Sequence, residues 1–183
     1  LFMALEHMSQ SMEPLRYMPE FTGLLAKFEN PLLGIAVGAI FTAIIQSSSA
    51  SVGILQTLAL SGVITLPSAI YVLFGQNIGT CITAILASIG SERNAKRATL
   101  IHLLFNVIGT VIFVAISMTT PFVHWMEGLT PGNVPVQIAN VHTIFNVVTT
   151  FLLLPFGAQL VRLTYVFLPN LPEAPTPSVV HHL

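Results

Sequence analysis

The sequence predicts an all-α integral membrane protein, and its distribution of charge carries this prediction. Hydrophobic residues make up 54% of the 183 residues and charged residues only 7%, whereas soluble domains carry about 25%. Residues 30–91 contain no Asp, Glu, Lys, Arg or His. In residues 98–123 the only potentially charged side chain is His102, and in residues 128–161 it is His142. Such stretches are typical of helices in hydrocarbon, where a central charge costs about 3 kcal/mol.

The rest of the composition excludes other classes of protein. The net charge of −1 provides no cationic surface for nucleic acid, so none is expected as a partner. The single cysteine, Cys81, excludes an intrachain disulfide and a cysteine metal cluster. No signal peptide is evident, and the start at Leu1 within an apolar pattern suggests a piece of a longer protein.

Residues 1–29 are predicted to form short amphipathic helices at the membrane interface, because they mix charges with Leu, Met and Phe. Residues 31–60 are predicted to form a re-entrant helical hairpin. The apolar run 31–45 reaches only about 22 Å, less than the hydrocarbon core of about 30 Å. A polar stretch, Gln46–Ser51, then precedes a second short apolar run. One continuous helix is the alternative, but serine-rich stretches offer the backbone competing hydrogen bonds.

Residues 66–90 are predicted to form a broken transmembrane helix, because Gly75–Thr80 (GQNIGT) interrupts an apolar pattern. Two full spanning helices are predicted at 98–120 and 137–156, joined by a loop. The Pro-rich residues 169–183 are predicted to form a tail or linker. Residues 1–168 would thus form one membrane unit.

The distribution of Lys and Arg predicts the orientation in a cell membrane. Residues 91–97 (SERNAKR) are rich in basic side chains, and Arg162 follows the second span, whereas residues 121–136 carry neither Lys nor Arg. The positive-inside rule therefore places residues 91–97 and the C-terminus in the cytoplasm. Arg16 and Lys27 fit this orientation poorly.

The polar interruptions predict a binding site, because polar groups in a membrane must face protein or water. Their hydroxyls and amides can donate to phosphate oxygens, and their oxygens suit a hard cation such as sodium. The helix that starts after Ser49 would present free N–H groups and a positive dipole end. The break at Gly75–Thr80 is expected to free carbonyl and N–H groups in the same way. Close packing of small residues is the alternative explanation of the serines.

The absence of Lys and Arg from residues 30–91 has a consequence for an anionic ligand. A phosphate dianion at membrane depth needs compensating positive charge, which bound cations would supply. Obligatory sodium coupling would follow from electrostatics.

Two motifs resemble the signature of the type II sodium/phosphate cotransporter family. They are Thr42–Ser51 (TAIIQSSSAS) and Gly75–Thr80 (GQNIGT), and the resemblance covers roughly residues 1–169. It implies two inverted repeats, each with a hairpin and a broken helix, that enclose phosphate and sodium. This chain is similar to the second repeat of bacterial members. A first repeat or a second copy would complete the site, and a PhoU-like domain would be compatible with the tail.

The resemblance assigns site residues by position in these motifs. Contacts with phosphate or sodium are expected from Gln46, Ser47, Ser48, Ser49, Thr42, Ser51, Asn77 and Thr80. The sodium candidates among them are Gln46, Ser49, Asn77 and Thr80. Sodium is expected as the coupling ion, with no other cofactor. The role of Gln76 stays open.

A short sequence repeat, called the echo below, occurs once in each of the two predicted spans. Residues 101–106 (IHLLFN) resemble residues 141–146 (VHTIFN), and in each the His and Asn lie four apart on one helix face. Polar contacts between packed helices are the favoured interpretation, and direct participation in transport is the alternative.

Sodium-coupled secondary transport of inorganic phosphate, with this chain supplying half of the site, is the function that the sequence predicts. The alternatives are a transporter or channel for another oxyanion and a non-transporting regulatory membrane subunit. An enzyme is not expected. A serine hydrolase would need a Gly-x-Ser-x-Gly elbow and an acidic residue within the spans, and the sequence has neither.

Overall fold

The computed structural model describes residues 3, 7, 10, 11, 14 and 17–170, and the regular elements of this part are helical. The α-helices from residue 19 onward are α1 (Pro19–Ala26), α2 (Pro31–Ile45), α3 (Ser48–Leu60), α4 (Leu66–Gly79), α5 (Cys81–Ala87), α6 (Arg93–Thr119), α7 (Phe122–Leu129), α8 (Val134–Leu153) and α9 (Gly157–Phe167). Short 3-10 turns lie at Lys27–Glu29 and Leu154–Phe156.

Within the described residues, three helical stretches are long and apolar enough to cross a membrane. They are Leu66–Ala87, Arg93–Thr119 and Val134–Phe167. The pair Gly23–Glu29 and Pro31–Ile45 meets the same criteria together but is bent by 109°. The prediction of an all-helical, multi-span membrane protein is confirmed at this level.

Side-chain caps fix where α2, α3 and α8 begin. The Oδ1 atom of Asn30 accepts hydrogen bonds from two backbone N–H groups in the first turn of α2, at 3.1 and 3.2 Å. Ser47 Oγ accepts from the N–H of Ala50 at 3.3 Å, and Asn133 Oδ1 accepts from Val136 at 3.2 Å. Each cap satisfies N–H groups that have no partner inside the helix.

The predicted hairpin region consists of two separate helices, so the alternative of one continuous helix is wrong. The break is confined to Gln46, in the left-handed conformation with φ 59°, and to the extended Ser47. Helix α3 begins at Ser48, earlier than the start expected after Ser49. A re-entrant course of these helices in the membrane stays a prediction.

The predicted break at Gly75–Thr80 is much smaller than expected. Helix α4 continues through Gly79, and Thr80 keeps helical angles (φ −57°, ψ −27°) while its N–H bonds to the Gln76 carbonyl at 3.0 Å. The interruption between α4 and α5 is confined to Thr80. The glycines here serve close packing rather than unwinding.

Helices α2 and α4 pack through a glycine pair on each helix. A Cβ atom on Gly34 would lie 2.7 Å from Tyr71 Cβ, and one on Gly38 would overlap the backbone of Val72. From the other side, Cβ atoms on Gly75 and Gly79 would overlap the backbone of α2. Paired small residues spaced by four let the two backbones approach closely, as is common between membrane helices.

Other boundaries differ from the predicted ones. Helix α6 begins at Arg93 rather than at residue 98, so the basic stretch forms its first turns. The predicted loop at 121–136 contains α7, and the second span begins at Val134 and continues through the 3-10 turn into α9. Most of residues 1–16 and all of residues 171–183 lie outside the described residues.

An aromatic cluster joins α4, α6, α7 and α8. The ring centroids of Phe145 lie 5.6 Å from Phe74 and 5.0 Å from Phe113, and Phe113 lies 5.7 Å from Phe122. These aromatic rings are buried. Asn77 lies three residues after Phe74 and Asn146 directly after Phe145, so the ring contacts set the relative position of the helices that carry these asparagines.

Candidate functional site

A cavity of about 270 Å³, lined mainly by residues with polar side chains, lies where α3, α4, α6 and α8 converge. Its lining residues are Ser48, Asn77, Thr80, His102, Phe105, Asn106, His142 and Asn146. None of these described residues is Asp, Glu, Lys or Arg. The cavity therefore offers hydroxyl, amide and imidazole groups in a region that is otherwise apolar.

The fold brings three of the sequence-predicted site residues into this cavity, namely Ser48, Asn77 and Thr80. The other five lie elsewhere. Those at the tip between α2 and α3 are exposed: Gln46, Ser47 and Ser49. Thr42 and Ser51 are fully buried behind the tip. The predicted site residues thus fall into three groups: those that line the cavity, those exposed at the tip, and those buried behind the tip.

The N-terminus of α3 presents free donors next to the cavity. The Ser47 side chain and carbonyl engage the N–H groups of Ala50 and Ser51. The N–H groups of Ser48 and Ser49 have no such partner in the described part of the chain. Two free N–H groups at the positive end of a 13-residue helix favour an anion.

Three asparagines on three helices share one geometry around the cavity. Each donates its amide N–H to the carbonyl four residues earlier: Asn77 to Leu73 at 3.1 Å, Asn106 to His102 at 3.0 Å and Asn146 to His142 at 2.8 Å. A carbonyl oxygen only accepts, so each amide must turn its nitrogen to its own helix. The amide oxygens are left as acceptors.

Thr80 follows the same pattern with a hydroxyl. Its Oγ1 donates to the Gln76 carbonyl at 2.8 Å, which leaves the lone pairs of that oxygen available. Asn77, in the last turn of α4, and Thr80, directly after that helix, therefore both offer oxygen acceptors. Oxygen acceptors without a competing charge suit a hard cation.

Behind the tip, three buried oxygens have no hydrogen-bond partner in the described residues: Thr42 Oγ1, Ser51 Oγ and Gln76 Oε1. The other end of the Gln76 amide donates to the Ser51 carbonyl at 3.1 Å, which ties α4 to α3. Buried polar oxygens without partners are rare in folded proteins. Gln76, whose role the sequence left open, therefore belongs to the polar core of this region.

Sequence reasoning missed the other wall of the cavity. His102, Asn106, His142 and Asn146 form the echo between the two spans, and they all line the cavity. The repeated His-x-x-x-Asn spacing is the available signal; it favours polar contact between helices, with direct participation in transport as the alternative. Within the described residues, no group of three or more His, Cys, Asp or Glu could hold a metal ion.

Comparison with known proteins places these features in a family context. The model of the Na+/Pi-cotransporter family matches residues 1–130. The chain is 38% identical to the uncharacterized protein YqeW of Bacillus subtilis over 136 residues, covering 74% of this chain and 43% of that protein. It is 29% identical to the putative inorganic phosphate export protein YjbB of Escherichia coli, covering 100% of this chain and 33% of that protein.

A mammalian relative matches a shorter part of the chain. Identity to the sodium-dependent phosphate transport protein 2A of Rattus norvegicus is 31% over 110 residues, covering 57% of this chain and 17% of that protein. The chain therefore spans less than half the length of these relatives. No solved structure matches the chain.

Proposed function

This chain belongs to the Na+/Pi-cotransporter family, and we propose that it supplies half of the binding site of a sodium-coupled transporter of inorganic phosphate. The observation that carries the proposal is the cavity in which Ser48, Asn77 and Thr80 meet. Ser48 stands at a helix N-terminus with free N–H groups, whereas Asn77 and Thr80 offer oxygens. The two kinds of group suit an anion and a cation respectively.

In this proposal, phosphate accepts hydrogen bonds from the N–H groups of Ser48 and Ser49 and from the Ser48 hydroxyl. Sodium is held by oxygens from Asn77 and Thr80, with Gln46 and Ser49 contributing from the tip. The described lining residues include no Lys or Arg. In this proposal bound sodium supplies positive charge that phosphate needs at membrane depth, so phosphate binding is expected to depend on sodium.

The exposed tip supports a site completed by another element. Gln46, Ser47 and Ser49 are polar and exposed, yet they connect two apolar helices. Polar groups at membrane depth must face protein or a water-filled cavity. We propose that an inverted first repeat or a second copy of the chain covers this tip and encloses the ligands.

Contacts near the N-terminal end of α6 support the proposed topology. Arg97 donates to the Leu168 carbonyl at 3.1 and 2.7 Å and to Asn170 Oδ1 at 2.7 Å. The basic start of α6 and the residues after α9 therefore lie on the same side. With the positive-inside rule, this side is the cytoplasm.

The test is phosphate flux in proteoliposomes that contain the full-length protein, with and without a sodium gradient. Sodium-dependent flux that Ser48→Ala and Asn77→Ala abolish, and that Ser117→Ala on α6 leaves unchanged, supports the proposal. Ser117 is a suitable control because its hydroxyl bonds to its own helix at Phe113. Flux indifferent to sodium refutes the coupling, and no flux from folded protein favours a regulatory subunit.

The direction of transport and the identity of the transported anion are tested in separate arms of this experiment. Because a relative matched over the whole chain is named a putative inorganic phosphate export protein, flux is measured with the sodium gradient in both directions. Sulfate and arsenate are added as competitors. If another oxyanion is transported faster than phosphate, that oxyanion and not phosphate is the substrate.

A further inference from the structure

The two histidines of the echo line the same cavity as Ser48, although they come from different helices. His102 lies on α6 and His142 on α8, and the sequence between them spans α7. Each histidine carbonyl accepts the amide of the asparagine one turn later, at 3.0 and 2.8 Å. The two helices therefore present the same His-Asn unit to one cavity.

The imidazole rings themselves are unengaged. No ring nitrogen of His102 or His142 has a hydrogen-bond partner among the described residues, whereas the neighbouring asparagines do. A histidine that held two membrane helices together would donate from its ring to the other helix. His102 is exposed and His142 half-buried, and neither ring bonds to the other helix, so both rings are available to a ligand in the cavity.

We propose that His102 and His142 bind the transported phosphate directly and that their protonation strengthens its binding. This inference rests on the proposed function of the cavity. A neutral imidazole donates one hydrogen bond, whereas an imidazolium donates two and adds a positive charge. Hydrogen bonds between charged partners are about twice as strong as neutral ones.

The groups around the two imidazole rings suit an anion better than they suit a cation in addition to sodium. The described groups that share the cavity from α3 and α4 are Ser48, Asn77 and Thr80, all uncharged. Cys81 on α5 does not line the cavity, but its buried thiol accepts a hydrogen bond from the lining residue Asn106 at 3.4 Å. Among the described residues no carboxylate lines the cavity to neutralise an imidazolium, so an anionic ligand is a suitable partner.

The test compares phosphate flux at saturating sodium for wild type and His102→Gln/His142→Gln, at about pH 6 and about pH 8. Glutamine keeps a donor but never carries a charge. The KM of the double variant should be about tenfold higher than that of wild type at the lower pH, with the difference narrowing at the higher pH. Comparing proteins at each pH cancels the titration of phosphate itself.

Two controls keep the result interpretable. His124→Gln, on the exposed face of α7, makes the same change outside the cavity and should leave KM unchanged. The single variants His102→Gln and His142→Gln should each raise KM at the lower pH. If the double variant does not fold, the comparison with wild type uses the single variants.

The outcomes separate this inference from the proposed function. Equal KM values for wild type and the double variant at both pH values overturn the role of the histidines and leave phosphate transport intact. An equal rise in KM at both pH values supports direct binding by the histidines but overturns the effect of their protonation. An absence of phosphate flux in wild type refutes the proposed function instead.

Discussion

Gly38 lies so close to Val72 that a Cβ atom on Gly38 would overlap the Val72 carbonyl oxygen. The same arrangement recurs in reverse where Gly75 faces Ile35. These contacts join α2, which ends at the polar tip, to α4, which carries Asn77 and ends directly before Thr80. The distance between these helices therefore sets where the tip stands in relation to the cavity.

Replacing either glycine of this contact should destabilise the protein. Gly38→Ala and Gly75→Ala each force two backbones apart, and overpacking of this kind costs about 1–3 kcal/mol or more. We expect a lower unfolding temperature in detergent and a loss of phosphate flux for both variants.

The matched control is Gly53→Ala in the interior of α3, where a Cβ atom would meet nothing within 4 Å. Because alanine favours helix more than glycine does, this variant should be as stable as wild type or more stable by about 0.5–1 kcal/mol. Equal stability of all three variants would show that the α2–α4 contact is looser than described.

Substitutions of Gln46 distinguish the effect of backbone strain on stability from the effect of the side chain on sodium-dependent flux. It is the only non-glycine residue with positive φ in the described part of the chain. A left-handed conformation costs about 1–2 kcal/mol for an ordinary residue. Gln46→Gly should therefore keep or raise the unfolding temperature but abolish sodium-dependent flux, since the proposed ligand is removed.

The comparison variant at this position is Gln46→Val, whose branched side chain is unfavourable at positive φ. It should lower the unfolding temperature as well as the flux. Normal flux in Gln46→Gly would remove Gln46 from the proposed sodium ligands without affecting Asn77 and Thr80.

Arg97 should anchor the segment after α9. Its guanidinium is buried, donates to Leu168, Asn170 and Asn94, and stacks 3.8 Å from the ring centroid of Tyr165. Arg97→Ala removes these interactions, so we expect a loss of about 2 kcal/mol and faster proteolysis after residue 168.

The control for this change is Arg162→Ala. Arg162 lies exposed on α9, and no ion pair or hydrogen bond of its side chain occurs among the described residues. Its replacement should change neither the unfolding temperature nor the rate of cleavage. Similar cleavage of both variants would show that Arg97 does not hold this segment.

The aromatic cluster should respond to loss of its central ring. Phe145 is fully buried between Phe74 and Phe113. Phe145→Ala leaves a cavity that neighbouring helices cannot fill, and we expect destabilisation of about 3 kcal/mol. Phe151→Ala, at a side chain that is 72% exposed, should have little effect on the unfolding temperature in detergent.

The local sequence was sufficient for the class and most elements of the fold. Long charge-free stretches predicted the spans, and the serine-rich stretch predicted the interruption now confined to Gln46 and Ser47. The glycines at 75 and 79 were misleading. Glycine is compatible with both an unwound backbone and a close helix contact, and only the facing backbone of α2 decides between them.

The sequence by itself determined that this chain is a helical membrane protein with motifs of a phosphate-transporting family, because hydropathy and motif spacing are properties of neighbouring residues. Only the tertiary structure decided which polar side chains share a cavity. Ser48, Asn77 and His142 lie on three different helices and converge through the packing of those helices. Convergence of this kind depends on contacts between distant segments, which no local pattern records.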